Sequence, residues 1–437
     1  MSWRSAPRPE WVRAVNAGEV PPFAEVAAQP LTVASLVAEA AVRQGRPAAP
    51  ESTCRAFFDH REFPGEEALG NLERFLTALG SETQLTTMGR FMTRRFLLRL
   101  LEERLQLVAY LEQDPGVQDE IIEAPLFVAG APRTGTTILH TLLAADPAHT
   151  VPEGWELLRP VPPPDPDPKR YAADPRIGLA DRELVLPQTV VSGLLAVHEY
   201  GGRKPKECLS AMSFAFQSEE LTARYHVPSF EAWLVDSDMT PAYRMHRLVL
   251  QVLQRRRPGT RWVLKSPVHL HVLPTLFETY PDARVAITHR DPTQLLASLT
   301  SLIANLRWAY SDRVDPKEIA GSHVRRYAAT FDRLVDWTEA GRLPEAQLHH
   351  SQFRDFLDAP LDTVQRLYAR FGLDWSEATE KALGHALSAN PADRHGSHVY
   401  SQDDLGEPLE RLQGRFARYQ ARCGDQPAEC VGRPAAP

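Results

Sequence analysis

The stretch FVAGAPRTGTTILH, residues 127–140, has the pattern of a loop that binds phosphate. Gly130 and Gly135 stand five positions apart, between an apolar run and a segment that favours a helix. In such a loop, backbone N–H groups and the N-terminus of the following helix converge on one anion. Arg133 adds a fixed positive charge, and the two threonines after Gly135 add hydroxyl donors. The stretch therefore predicts a site for a phosphate that carries a second anionic group.

The loop differs from that of the P-loop nucleoside triphosphatases at one decisive position. Their pattern places a lysine directly after the second glycine, where this chain has Thr136. Those enzymes also hold magnesium with an acidic residue at a strand end, whereas two further predicted strands of this chain end in Lys265 and in His289–Arg290. Basic residues at these positions favour a protein that neutralises phosphate charge itself, without a metal ion. A kinase or nucleotide hydrolase of the P-loop type is the alternative.

The elements that must position these residues alternate between strand and helix. A short apolar run predicts a first strand at 125–130, and further strand candidates lie at 261–266, 283–290 and 345–353. Helical segments are predicted after three of them, from about Gly135 to Ala145, from Pro292, and from about Leu361 to Phe371. Because strands that alternate with helices form parallel sheets, we expect an α/β fold with a P-loop-like sheet flanked by helices.

Two further regions surround this α/β core. Residues 1–120 predict a helical N-terminal extension, with helix-period apolar residues at 31–45, 66–80 and 89–115. The α/β domain takes residues 121–437, and residues 150–260 form a helical insertion within it. Insertions of this kind often lie over the carboxyl edge of the sheet and carry a substrate pocket. The basic amphipathic helix at 89–115 suits either a membrane surface or packing on the domain, and its mixed acids and bases favour packing.

Composition places the chain among ordinary globular proteins. It has 437 residues, 43% of them apolar, and a formal charge of -7, so that no basic excess indicates nucleic acid. No apolar run suits a signal peptide or a bilayer span. The four cysteines lack the spacing of a zinc site and predict reduced thiols in a cytoplasmic protein: Cys54, Cys208, Cys423 and Cys430.

Three segments of the chain resemble the PAPS-dependent sulfotransferases, notably the bacterial branch that modifies small molecules and lipids. They are GAPRTGTT (130–137), LKSPVHL (264–270) and HRDPTQLLASLTSL (289–302). The likeness covers roughly residues 85–420. It implies 3′-phosphoadenosine 5′-phosphosulfate (PAPS) as co-substrate and its desulfated form, PAP, as product. The acceptor would be a hydroxyl of a small molecule, lipid or polyketide, and an inactive nucleotide-binding scaffold is a further alternative.

The resemblance also implies residues that bind the nucleotide. The first loop would hold the 5′-phosphosulfate, and Arg133 stands where cytosolic animal relatives have lysine, so the charge is kept. Arg290 and Ser298 have the family's spacing for the 3′-phosphate, and at ~1.5 Å per residue Ser298 would lie about 9 Å up a helix that begins near Pro292. A late segment, 392–401, resembles the part that closes over the nucleotide. The implied binding residues are Arg133, Thr134, Gly135, Thr136, Thr137, Arg290, Ser298, Arg394 and Gly396.

Catalysis needs a cation beside the leaving phosphate and a base for the acceptor hydroxyl. Lys265 matches the family lysine and is the predicted cation, and Arg133 adds charge beside it. His269, four residues beyond Lys265, is the first candidate for the base because imidazole titrates near neutrality. The alternatives for the base lie in the inserted region: His198, Glu199 and Glu156.

The inserted region leaves the acceptor open. It contains a group of large apolar side chains that suit either an apolar acceptor pocket or an ordinary core, namely Leu194, Leu195, Phe214, Phe216, Phe230 and Trp233. Neither the acceptor nor the oligomeric state follows from these residues.

Overall fold

A parallel sheet lies at the centre of the computed structural model, which describes residues 3–47, 65–192, 194, 200–389 and 402–424. Its four strands are β1 (Leu126–Gly130), β2 (Val263–Lys265), β3 (Arg284–His289) and β4 (Leu348–Gln352), in the order β2–β1–β3–β4. All four predicted strands are confirmed, and so is the α/β fold with a parallel sheet. Because every pairing is parallel, the carboxyl ends of the strands meet at one edge.

Helices supply most of the remaining structure in the described residues. The first eleven are α1 (Glu10–Asn16), α2 (Pro21–Ala28), α3 (Val33–Arg43), α4 (Gly65–Glu82), α5 (Thr87–Gln113), α6 (Thr136–Ala145), α7 (Gly154–Leu158), α8 (Pro168–Ala172), α9 (Pro175–Val190), α10 (Leu209–Met212) and α11 (Glu219–Arg224). The others are α12 (Pro228–Asp236), α13 (Thr240–Gln254), α14 (Val268–His271), α15 (Leu273–Thr279), α16 (Pro292–Trp308), α17 (Pro316–Glu339), α18 (Phe353–Asp358), α19 (Pro360–Phe371), α20 (Glu377–Ala389), α21 (Leu409–Arg415) and α22 (Ala417–Cys423). Short 3₁₀ turns occur at Pro115–Asp119, Ser213–Ala215, Glu345–Gln347 and Gln402–Leu405.

The sheet is buried on both faces. Side chains of successive strand residues point to opposite faces, and in β1 Phe127 belongs to one buried cluster while Val128 belongs to another. The face of Val128 is covered by α6, α19 and α20, and the opposite face is covered mainly by α13, α16 and the N-terminal helices. This double coverage explains why β1 appears in the sequence as a continuous apolar run.

The N-terminal helices share the larger of these clusters. Leu36 of α3 and Leu72 of α4 are buried in the same cluster as Phe127. On α5, Arg94 pairs with Glu39 and Arg99 pairs with Glu183. These paired basic side chains favour the packed alternative for this amphipathic helix. Within the described residues, no helix is both long and apolar enough to cross a lipid bilayer.

The inserted region folds back onto the carboxyl end of β2. The backbone N–H of Cys208 donates to the carbonyl of Lys265 at 3.0 Å, which fixes an irregular segment beside the last residue of that strand. At the amino end of the same strand, the N–H of Thr150 donates to the carbonyl of Arg261, two residues before β2, at 2.8 Å. The segment around Cys208 therefore borders the edge of the sheet at which ligands bind in open α/β folds, whereas Thr150 lies at the opposite edge.

Candidate active site

The phosphate loop connects β1 to α6 in a conformation that its glycines permit. Gly135 has a φ of 91°, a left-handed value that disfavours side chains, and it immediately precedes Thr136 at the first position of α6. At Gly130, a Cβ atom would lie 2.3 Å from Oγ1 of Thr288 on β3. The loop therefore packs directly on the neighbouring strand, and the N-terminus of α6 opens toward it.

Arg133, at the apex of the loop, has a backbone conformation unusual for a residue with a side chain. Its φ is 71°, and such strained residues cluster at functional sites. Its Nε atom donates to Oγ of Ser298 on α16 at 3.0 Å. The loop is thus joined to the helix that carries the predicted partner of Arg290.

Arg290 follows β3 and reaches the same loop. Its Nη1 atom donates to the carbonyl oxygen of Arg133 at 2.8 Å, and its guanidinium carbon lies 4.4 Å from the ring centre of Phe353. Its Nε atom is buried and has no hydrogen-bond partner in the part of the chain that the structure describes. The two arginines and Ser298, widely separated in sequence, therefore meet at the carboxyl edge of the sheet, where open α/β folds have their ligand-binding crevice.

The three loop threonines have different environments. The Thr134 hydroxyl is buried, donates to the carbonyl of Ala131 at 2.6 Å and lies 2.6 Å from Oγ1 of Thr288. It stabilises the loop, so for this residue only the backbone N–H remains a candidate for contact with an anion. Thr136 is buried at the start of α6. Thr137 is exposed, and its Oγ1 atom lies 3.4 Å from Nζ of Lys265.

Lys265 ends β2 and pairs with a carboxylate that the sequence did not single out. Its Nζ atom lies 2.5 Å from Oε1 of Glu207, whose side chain is 23% exposed. Lys265 itself is 4% exposed. A cation and a partly accessible carboxylate therefore stand side by side next to the start of α6. The only signal for Glu207 in the sequence is an acidic residue between Lys206 and Cys208 in an irregular segment, which is too common to be informative.

A buried charge network fixes the segment around Glu207. Burial lowers the pKa of the neighbouring Lys206 amine, whose Nζ lies 4.0 Å from Oε1 of Glu220. Glu220 also accepts hydrogen bonds from Arg224 at 2.5 Å and from Ser210 at 3.1 Å. Lys206 is thus committed to this network, and Glu207 is the side chain of the segment that pairs with Lys265.

The structure places His269, the first candidate for the base, in the core rather than beside Lys265. Its side chain is fully buried on α14, its Nδ1 atom lies 2.7 Å from the hydroxyl of Tyr243, and its ring centre lies 4.8 Å from that of Phe127. Lys265 shares a face of the sheet with Val263, whereas Phe127 lies on the opposite face. The turn after β2 therefore carries His269 into the core, away from the side of the sheet where Lys265 meets Thr137.

Buried histidines in this part of the core make folding stability depend on pH. Burial lowers the pKa of His246 to about 3 and that of its neighbour His269 well below the usual value. Unfolded histidine titrates near pH 6.5, so below that pH the unfolded chain binds more protons than the folded chain does. We expect the free energy of unfolding to fall as the pH drops from 6.5 toward about 3, by up to ~1.4 kcal/mol per pH unit for each such histidine.

Urea unfolding of the wild type and of His246→Gln between pH 5 and pH 7.5 measures this effect. Above pH 6.5 these histidines are neutral in both the folded and the unfolded chain. They should therefore cause no change in the wild-type free energy of unfolding with pH in that range. The variant should lose part of the acid slope, and an unchanged slope would contradict the assignment. Replacement of His349, half-buried on β4, should remove a similar part of the slope, because burial lowers its pKa to about 4, which also lies below the measured range.

Glu156 is also not available as a base, which corrects the prediction for this residue. Its carboxylate is fully buried and accepts from the N–H of Glu153 at 2.8 Å, from the Tyr171 hydroxyl at 3.2 Å and from Arg257, 2.9 Å away. The first of these contacts belongs to a capping box at the N-terminus of α7. Glu156 therefore stabilises a helix start and an ion pair in the insertion.

Several predicted residues cannot be assigned a place. His198, Glu199 and Leu195 lie outside the described residues, as do Arg394 and Gly396 of the late segment. Of the apolar side chains proposed for an acceptor pocket, four are fully buried members of the main cluster and therefore build the core: Leu194, Phe214, Phe216 and Phe230. Trp233 is partly buried against the same cluster.

Known proteins resemble this chain in both sequence and structure. A model of the sulfotransferase family matches residues 125–377. The crystal structure of sulfotransferase STF1 from Mycobacterium tuberculosis H37Rv is 30% identical, with 88% of this chain and 98% of that chain covered and a TM-score of 0.74. That of STF9 from Mycobacterium avium is 26% identical, with 90% and 96% covered and a TM-score of 0.76.

A curated relative is named for its activity. It is the omega-hydroxy-beta-dihydromenaquinone-9 sulfotransferase Stf3 of Mycobacterium bovis, 25% identical over 266 residues. The match covers 58% of this chain and 64% of the relative, so the chain spans somewhat less than two thirds of the length of the curated relatives it matches. The family model and the two mycobacterial structures, together with the phosphate loop that lies inside the matched range, show that the chain belongs to the sulfotransferase family.

Proposed function

We propose that the protein transfers a sulfuryl group from PAPS to a hydroxyl group of a small-molecule or lipid acceptor. The observation that carries the proposal is the meeting of the phosphate loop, Arg290 and Ser298 at one crevice, through contacts that span 157 and 165 positions of the chain. A donor with phosphate at both the 5′ and 3′ positions fits two such separate anion-binding features. Membership of the sulfotransferase family supports the same donor.

The crevice offers different groups to the two ends of the donor. The N–H groups of the loop, the N-terminus of α6 and the Thr137 hydroxyl suit the 5′-phosphosulfate. Arg290 and Ser298 suit the 3′-phosphate, and the buried Nε–H of Arg290 would gain a partner there.

Sulfuryl transfer would proceed as an in-line displacement at sulfur. The acceptor oxygen forms a bond to sulfur while the bond between sulfur and the 5′-phosphate oxygen breaks, so that PAP leaves with the electron pair. Lys265 would stabilise the negative charge that develops on this phosphate oxygen. Glu207 would accept the proton of the acceptor hydroxyl, and it takes the role that the sequence had suggested for His269.

The acceptor class follows from the family and from the character of the site. Stf3 is named for a hydroxylated dihydromenaquinone, and we extend only the general class, a small-molecule or lipid hydroxyl, to this chain. Glu207 is a base suited to an alcohol or a phenol, because a carboxylate can take the proton as the bond to sulfur forms. The proposal therefore names the reacting group and leaves the rest of the acceptor to direct assay.

Binding of PAP without a metal ion tests the donor. At a PAP concentration of 100 times Kd, the free energy of unfolding should rise by about 2.7 kcal/mol, measured as an increase in Tm in the presence of EDTA. Arg290→Ala should weaken PAP binding by about 10- to 100-fold, because hydrogen bonds to charged groups are lost. Arg284→Ala, at the opposite end of β3, is the matched control and should bind PAP as the wild type does.

Three other outcomes would contradict the proposal in different ways. Stabilisation by ATP with magnesium but not by PAP would indicate a P-loop kinase or hydrolase. Tight PAP binding without transfer of labelled sulfate from PAPS to any component of a source-cell extract would indicate a nucleotide-binding scaffold. Equal loss of PAP binding in Arg284→Ala and Arg290→Ala would remove Arg290 from the donor site.

A further inference from the structure

Phe353, at the junction between β4 and α18, stands between the two predicted phosphate-binding features. Its ring centre lies 4.4 Å from the guanidinium carbon of Arg290, and its Cδ2 atom lies 3.0 Å from the position of a Cβ on Gly135. We propose that Phe353 is a positioning residue that sets the Arg290 guanidinium for the 3′-phosphate of the donor. The inference rests on the proposed function, because it needs a donor that carries this phosphate.

Among the described residues, the ring is one of two contacts that orient Arg290. The other is the hydrogen bond from Nη1 to the carbonyl of Arg133 at 2.8 Å. A guanidinium stacks on an aromatic face by cation–π attraction, and the stack restricts its plane, whereas a single hydrogen bond leaves rotation about the bonded atom. With both contacts in place, the plane of the guanidinium is fixed, and its Nε–H is buried without a partner among the described residues.

The position of Gly135 depends on the Phe353 ring less than the position of Arg290 does. The loop residue is fixed by its own backbone, since its carbonyl accepts from the N–H of Leu139 at 3.0 Å as the first turn of α6 forms. Loss of the ring would therefore leave the 5′-phosphate loop largely in place. The effect should fall mainly on the 3′-phosphate, which is recognised through the long side chain of Arg290.

Core packing does not account for Phe353. Its side chain is half-buried, and within the described residues it belongs to neither of the large apolar clusters, whereas Phe356, three residues later, is a buried member of one. The junction is instead held by polar contacts. Nε2 of Gln352 donates to the carbonyls of Cys423 at 2.7 Å and Gly424 at 3.0 Å, at the end of α22. Phe353 is thus placed by the C-terminal helix rather than by the core.

Affinities for PAP and for adenosine 5′-monophosphate, which lacks the 3′-phosphate, test the proposal by calorimetry. The wild type should prefer PAP. Phe353→Leu should reduce this preference about three- to tenfold, the range expected for a lost cation–π contact, while its Kd for the monophosphate changes less than about twofold. Phe353→Tyr keeps the aromatic face and should retain the preference.

Phe356→Leu, in the same helix, is the matched control. It should lower Tm, because it removes buried apolar contacts, and it should leave the preference for PAP unchanged. The positioning role would be overturned if Phe353→Leu kept the full wild-type preference for PAP over the monophosphate, or if Phe356→Leu lost as much of that preference as Phe353→Leu does. Either result would leave the sulfotransferase proposal intact. A wild type that does not prefer PAP would instead remove the donor assignment, and this inference with it.

Discussion

Replacement of Glu207 by glutamine is expected to lower kcat for sulfuryl transfer by about 10²- to 10⁴-fold, the contribution of a positioned general base. Glutamine keeps the size and polarity of the side chain but cannot accept the acceptor proton. The Kd for PAP should change little, because Glu207 faces Lys265 rather than the arginines at the crevice. Single-turnover rates with saturating PAPS and acceptor measure the chemical step, and calorimetry measures PAP binding.

A parallel variant separates Glu207 from the histidine that the sequence favoured. His269→Gln should reduce stability, since the ring is buried beside Tyr243 and Phe127, but the folded variant should keep kcat within a few-fold of the wild type. The opposite pattern, with kcat preserved in Glu207→Gln and lost in a folded His269→Gln, would return the base role to the histidine and would require His269 to leave the core.

The difference between these two residues shows what spacing along the chain cannot predict. His269 has a suitable chemistry and a suitable distance along the chain from Lys265, but distance along the chain does not say which face of the sheet a side chain reaches. Strand residues alternate between faces, and the turn after β2 sends the histidine to the face of Phe127. Glu207 is 58 positions from Lys265, and only the folding of the insertion, through the bond from Cys208 to the Lys265 carbonyl, brings the two together.

The crevice proposed to bind the nucleotide is more predictable, because its parts follow from general rules of parallel sheets. The Gly130–Gly135 spacing defines the loop locally, and the carboxyl ends of parallel strands must meet at one edge. Arg290 and Ser298 could therefore be placed near Arg133 from their positions after β3 and on α16. The positions of the inward Thr134 hydroxyl and of the Phe353 ring could not be predicted in this way. Both depend on side-chain packing between β3, β4 and the loop.

Replacement of Lys265 by methionine is the second change with a large expected effect. It should lower kcat by about 10²- to 10³-fold, comparable with the loss of one group that stabilises charge in a transition state. Donor binding should weaken far less, because the loop N–H groups and Arg290 remain. Lys265→Arg keeps the charge and should recover part of the rate, although the planar guanidinium fits a different geometry from a point-like ammonium.

Combination of Lys265→Met with Glu207→Gln tests whether the two side chains act as a unit. In the structure the two side chains form an ion pair, 2.5 Å apart. Bound donor must therefore draw the ammonium toward its leaving phosphate before the carboxylate can serve the acceptor. Groups that cooperate in one step show strongly non-additive losses, so the double variant should be about as slow as the slower single variant. Additive losses would mean that the lysine and the carboxylate act in separate steps, and transfer would then need a different base.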